Sequence, residues 1–307
     1  MENNDLVDLL RNFEKQFNYK PKIENLNNFK YSSNLFVAGM GGSHLAAHLI
    51  NDVYPKINIT IHSNYGLPPN IDTSSLLIVS SFSGETEETI DAFNCAFKKK
   101  IPTIVISSGG KLIELSKKRN TPFIQIPKID LPPRLAIGYS LLAFSKILNK
   151  KIKIRVDNQK IEKEGKELAE KIYNTIPIIY SSEKNKSISK FWKINFNEGS
   201  KNLSFFNVFP ELNHNEIVSF SKNKKDFNFI LIEDENDHPR IKLRMNIFKK
   251  IFSDYKIEII KSKEKDAWSR AIYFILLSSW TSYYLALKNK VEFEKIEIIN
   301  KFKKELS

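Results

Sequence analysis

The sequence predicts an α/β protein of two doubly wound domains, each a parallel sheet flanked by helices, and three observations carry that prediction. The chain has 307 residues, more than one domain usually holds, so two cores of ordinary size are expected. From Asn34 onward, short β-rich runs alternate with segments of helical length. The runs are continuous Val/Ile/Leu stretches rather than strict alternations, which is how strands buried on both faces of a parallel sheet read.

The elements follow in order. The opening MENNDLVDLLRNFEKQF reads as an acidic amphipathic helix, without the basic start and apolar centre of a signal peptide. LFVAG, INITIHS, SLLIVSS, IPTIVIS and PFIQIP are the strands of the first domain, closed by a helix from Pro132 to about Asn149. A boundary near residue 150 divides the chain into 1–150 and 151–307. The lysine-rich KKIKIRVDNQKIEKEGKE then leads into a charged helix and the apolar run IPIIYSS, with FNFILIED and YKIEIIKS as further strands. The halves look alike in architecture but share no repeat of fixed period. Ala271 to Leu287 is free of charge, yet it carries several hydroxyls and falls short of the roughly 20 apolar residues a membrane span needs, so a buried or interface helix is expected.

Composition narrows the function. Hydrophobic residues make up 41% and charged residues 27%, the balance of a chain that folds throughout. A net charge of +13 would suit a polyanion, but the lysines are scattered. The densest runs, Lys98 to Lys100 and Lys222 to Lys225, are short and lack interleaved aromatics, so no nucleic-acid partner is expected. Cys95 is the single cysteine, which excludes intrachain disulfides and Cys-cluster metal sites and fits a reducing cytoplasm. The five histidines form no H-E-x-x-H spacing, and no metal is expected.

Two segments carry anion-binding chemistry. The first strand ends in Gly39-Met40-Gly41-Gly42-Ser43 and passes directly into the helical run HLAAHLI. Glycines allow close backbone approach there, and the start of the next helix offers N–H groups and a positive dipole end. The plain alternative is an ordinary turn with Ser43 as a helix N-cap. The strand SLLIVSS runs into a second such turn, Ser81-Phe82-Ser83-Gly84-Glu85-Thr86. Neither end shows a G-x-G-x-x-G turn or a Walker lysine, so no nucleotide cofactor is expected; clustered hydroxyls and amides suit a phosphate monoester.

This pair of motifs resembles the sugar isomerase (SIS) domain. The resemblance implies that Gly41, Gly42, Ser43, Ser81, Ser83 and Thr86 hold the phosphate of a sugar 6-phosphate substrate. Ala46 and Ala47 stand where small glycines are common, and Glu85 where asparagine is frequent. Leu131-Pro132-Pro133-Arg134, Asn197-Glu198-Gly199-Ser200-Lys201 and Phe209-Pro210-Glu211-Leu212-Asn213-His214-Asn215-Glu216 extend the likeness across nearly the whole chain, to the bifunctional phosphoglucose/phosphomannose isomerases.

The chemistry such an enzyme performs suits these residue types. Moving a proton between adjacent carbons through a cis-enediol needs one carboxylate base, and Glu198 matches the family's base. Hexose phosphates are mostly ring-closed, so a group that both donates and accepts protons near neutrality is also required. His214 matches that position, with an ordinary imidazole pKa of about 6.5. Arg134 would stabilise charge on the enediolate oxygens. Lys303, between Lys301 and Lys304, looks like the family's terminal lysine; His44, His48, His62 and His238 read as structural.

Val291-Glu292-Phe293-Glu294-Lys295 stands where many members carry a threonine, so glucose 6-phosphate is implied more firmly than mannose 6-phosphate. The resemblance also implies a homodimer in which His214 is offered to the partner's site. A phosphosugar-binding regulator without catalysis is the alternative that the phosphate loops alone would satisfy. The chain lacks the glutaminase domain a glucosamine synthase would need.

Overall fold

The computed structural model describes residues 4–129, 132–221 and 226–306, so Leu131 and the run from Lys222 to Lys225 lie outside the described residues. The chain divides into two compact units, Met1–Ile154 and Arg155–Ser307.

The first unit opens with helix α1 (Asn4–Arg11), followed by β1 (Leu35–Gly39), α2 (Leu45–Val53), β2 (Ile59–His62) and β3 (Leu76–Ser80). Then come α3 (Glu87–Lys98), β4 (Thr103–Ser107), α4 (Gly110–Lys118), β5 (Phe123–Gln125) and α5 (Ile137–Ile147). The strands form one parallel sheet in the order β2-β1-β3-β4-β5. Every residue of β1 and β3 is buried, which explains why those runs lack alternation. One face of the sheet packs Phe36, Ala38, Leu77, Val79 and Val105 against Ala92, Phe93 and Ala96 of α3 and Leu112 of α4. The strand order reverses between β1 and β3, and in open α/β sheets such a switch point leaves a crevice beyond the carboxyl ends of the two strands.

The second unit contains α6 (Asn158–Ile172), β6 (Ile176–Ser182), α7 (Lys186–Asn195), β7 (Phe205–Phe209), β8 (Phe227–Glu233), α8 (Pro239–Ile251), β9 (Lys256–Lys261), α9 (Ala267–Asn289) and α10 (Glu297–Glu305). Its parallel sheet runs β7-β6-β8-β9, so its switch point falls between β6 and β8. Tyr180, Phe209, Phe229, Phe248 and Phe252 fill its core, with the Phe248 and Phe252 rings 4.5 Å apart. β7 is not among the strands the sequence predicts. It is an edge strand whose first three residues are at least partly exposed, so it lacks the fully buried apolar run.

The charge-free stretch lies within α9, whose Asp266 cap accepts from the Ser269 amide and whose interior, including Trp280, is buried. A Cβ on Gly165 of α6 would stand 2.6 Å from the Trp280 Cβ, so the two helices approach closely only because that side chain is missing. Among the described residues no helix is long and apolar enough to cross a membrane.

Candidate active site

The register of the first sheet pairs Gly39 with Ser80, so the glycine turn after β1 and the hydroxyl turn after β3 emerge side by side at the switch point. They are also bonded to each other. Ser43 does not cap α2; its Oγ accepts from the Phe82 amide at 3.0 Å, while its carbonyl accepts from Ser80 Oγ at 2.7 Å. A single serine thus ties the first loop to the second through both its side chain and its backbone.

The second loop is held by its own hydroxyls. Ser81 is 1% exposed; its Oγ accepts from the Gly84 amide at 3.1 Å and shares a 2.9 Å hydrogen bond with Thr86 Oγ1. Ser83 stands exposed, its Oγ accepting from the Glu85 amide. Gly84 has φ +73°, and a Cβ there would lie 1.9 Å from the Gly109 carbonyl oxygen, so no other residue fits. That contact belongs to a third turn, Ser107-Ser108-Gly109-Gly110, which is not among the motifs singled out from the sequence. Its Ser108 Oγ donates to the Phe82 carbonyl at 2.7 Å, and the Lys111 amide donates to Glu85 Oε1 at 2.8 Å. A Ser-Gly-Gly string at a strand's carboxyl end was the available signal.

Arg134 is 2% exposed and sits in the single 3-10 turn, Pro133–Ala136, that opens α5. A Cβ on Gly42 would lie 3.2 Å from the Arg134 amide nitrogen, so Gly42 lets the first loop lie against this turn. The first unit therefore brings Gly41, Gly42, Ser43, Ser81, Ser83, Thr86 and Arg134 into one neighbourhood.

In the second unit Glu198 lies on a single π-helical turn, Phe196–Ser200, that continues α7. Such turns interrupt the regular i→i−4 ladder and recur at functional sites. Packing defines this one closely. Asn195 Nδ2 donates to Ser278 and Ser279 of α9, and its carbonyl accepts from Ser282 Oγ at 2.7 Å. A Cβ on Gly199 would meet Ser282 Oγ at 2.5 Å and the Phe293 ring at 2.6 Å. Half-buried Glu198 lines a cleft of about 800 Å³ together with Asn197, Lys201, Val291, Ile296 and Ile299.

His214 ends a 3-10 turn, Glu211–His214, and is exposed. Its segment is anchored by Glu216, which accepts from the Tyr180 hydroxyl at 2.5 Å and from Asn207 Nδ2. Burial, reinforced by the Glu216 carboxylate, raises the Tyr180 phenol far above its ordinary pKa and keeps it a donor. Lys303 is exposed on α10, as are Lys301 and Lys304. His44 and His48 pack edge to face at 4.9 Å, and His238 Nδ1 accepts from the Arg240 amide at the start of α8. No group of three or more metal-ligating side chains occurs among the described residues.

Comparison with known proteins follows the same lines. Residues 161–306 match the family described as the bacterial phospho-glucose isomerase C-terminal SIS domain. A bifunctional phosphoglucose/phosphomannose isomerase of Aquifex aeolicus is 30% identical over 98% of this chain and 98% of its own length. One from Caldicellulosiruptor bescii is 34% identical over 81% of this chain and 82% of its own. The chain belongs to this family. Among solved structures, a glucosamine-6-phosphate deaminase from Thermotoga maritima is alike in fold, with a TM-score of 0.70, 15% identity and 95% of each chain covered. As a member of the phosphoglucose/phosphomannose isomerase family, the chain carries its hydroxyl-lined loops in the first unit and the Glu198 turn in the second.

Proposed function

We propose that the protein is an aldose–ketose isomerase that interconverts fructose 6-phosphate with glucose 6-phosphate first and mannose 6-phosphate second, the order its Val291–Lys295 segment favours. The observation that carries this reading is the pair of loops joined by the Ser43–Phe82 hydrogen bond at a switch point. Such a cradle offers hydroxyls and amides to a monoester without any lysine, which favours a sugar phosphate over a nucleotide. The half-buried Glu198 carboxylate argues for chemistry rather than for a regulator that only binds.

In this reading Ser43, Ser83, Thr86 and the amides of Gly41 and Gly42 hold the phosphate, with Ser81 shaping the loop around them. His214 protonates the ring oxygen and accepts the anomeric hydroxyl proton, giving the open chain. Glu198 removes the proton from the carbon next to the carbonyl while the carbonyl oxygen gains one, forming the cis-enediol. Return of the carbon-bound proton to the neighbouring carbon, with loss of the other hydroxyl proton, completes the exchange; hydrogen is moved and none is lost. Arg134 stabilises the transient negative oxygens, and Lys303 adds positive charge from α10.

The protein acts as a homodimer in which His214 serves the partner's site. The exposed apolar stripe of Ile298 and Phe302 on α10 and Leu306 at its end supports a second copy as partner. Chelator-treated enzyme is expected to convert fructose 6-phosphate to glucose 6-phosphate, followed by NMR, with mannose 6-phosphate measured in the same spectra. Refolding a mixture of Glu198→Gln and His214→Ala chains is expected to restore roughly a quarter of wild-type activity, since half the dimers would be mixed and each would hold one intact site. No restoration would remove the shared site, and no turnover by wild type would remove the isomerase.

A further inference from the structure

We propose that Lys201 is the positioning residue of the Glu198 turn, an inference that rests on the isomerase reading above and adds to it. Lys201 follows the π-helical turn in a left-handed conformation, φ 59°. Its ammonium donates to the carbonyl oxygens of Glu198 at 2.5 Å and Gly199 at 3.3 Å. It also donates to those of Glu292 at 2.9 Å and Lys295 at 2.7 Å. Three N–H groups thus serve acceptors on two separate segments, one contact being shared.

The physical need is plain. The end of a helix leaves carbonyl oxygens without intrahelical donors, and the irregular chain between α9 and α10 presents more of them. Backbone amides do not supply this convergence; a flexible stem ending in a compact point charge does. The same ammonium therefore fixes the turn that carries Glu198 and the segment that leads into α10 and Lys303. Lys201 also lines the cleft beside Glu198.

Lys201 is exposed, so water can replace the lost donors and the unit folds without them. The loss falls on placement. A base set about 1 Å off its line of attack costs on the order of 100-fold in rate. A uniform structural role predicts something else, a general loss of stability with kinetics little changed in the molecules that remain folded.

The experiment compares Lys201→Met and Lys201→Arg with wild type. It reads kcat and KM for fructose 6-phosphate, and amide hydrogen exchange along the chain. For Lys201→Met we expect kcat to fall about 50-fold with KM within about threefold. Exchange is expected to quicken at 291–297 and 198–202 but not in β6 or β8. Lys201→Arg, which keeps the charge and some of the donors, recovers about tenfold of the lost kcat. A kcat within about threefold of wild type for Lys201→Met, or faster exchange spread over the whole second unit, overturns the proposal. If Glu198→Gln instead keeps full turnover, it is the assignment of the base that fails, while exchange at 291–297 still decides whether Lys201 holds that segment.

Discussion

The two sheets share a strand plan but treat their switch points in opposite ways. In the first unit the loops beyond β1 and β3 present glycines, hydroxyls and amides, with Ser83 exposed at the second loop. In the second, the loops beyond β6 and β8 carry a carboxylate network. Asp234 accepts from Lys184 Nζ at 3.1 Å and from the Asn236 amide at 2.9 Å, with Arg270 at 3.7 Å. Asp237 accepts from Ser182 Oγ at 2.5 Å and from the Asp234 amide at 3.1 Å. In the second crevice Asp234 already engages Lys184 and Arg270, so those cations are not offered to an incoming phosphate. A shared topology provides the crevice; the residues that fill it decide whether a ligand enters.

This contrast can be broken from either side. The largest effect is expected at Gly84→Ala, where the added carbon cannot coexist with the Gly109 carbonyl at 1.9 Å. Steady-state kinetics should show kcat/KM reduced about 1,000-fold, equivalent to about 4 kcal/mol. Next, Asp234→Ala removes the anion from the second network and leaves Arg270 and Lys184 uncompensated. Urea unfolding should report a loss of about 3 kcal/mol, with kcat/KM under folding conditions within about threefold of wild type. A comparable kinetic loss in both variants would show that the switch points are not divided in role.

The pH dependence sharpens the same contrast. Burial opposes ionisation of Asp234, but the Asn236 amide, Lys184 and Arg270 outweigh it, so its pKa is lowered in the fold. A lowered carboxyl contributes stability that is present above the unfolded value of about 3.9 and lost as pH falls through the folded one. Burial raises the Asp237 pKa, aided by the nearby Asp234 charge and opposed by its Ser182 and Asp234 amide bonds. Its contribution has the reverse sign, largest when protonated and lost as pH rises through its folded value. Urea midpoints for Asp234→Asn should therefore lose the fall in stability as pH drops below the ordinary carboxyl value, and those for Asp237→Asn the fall as pH rises above it. The smallest effect is expected at Ser43→Ala, about 1 kcal/mol of stability from the lost Phe82 bond and roughly tenfold in KM.

What the sequence disclosed follows from where the physical information is local. β1 and β3 were legible because burial on both faces demands unbroken apolar runs, and Gly84 because a hydroxyl-rich turn between strand and helix signals itself. β7 was hidden because an edge strand with exposed Phe205 lacks that run. The Glu198 turn was marked by its residues, but nothing in the sequence could show that Lys201 binds backbone oxygens of residues 292 and 295. Backbone acceptors leave no side-chain signature. The Asp234–Asp237 network was equally silent, since acidic residues after a strand read as an ordinary polar loop.

The most direct measurement of the central claim, that one unit grips the phosphate and the other supplies the base, pairs two quantities in Glu198→Gln. These are the affinity for fructose 6-phosphate by calorimetry and the incorporation of solvent deuterium into the sugar by NMR. The account predicts affinity within about threefold of wild type and deuterium incorporation slowed by more than about 1,000-fold. Incorporation at the wild-type rate, or affinity lost together with it, would contradict it.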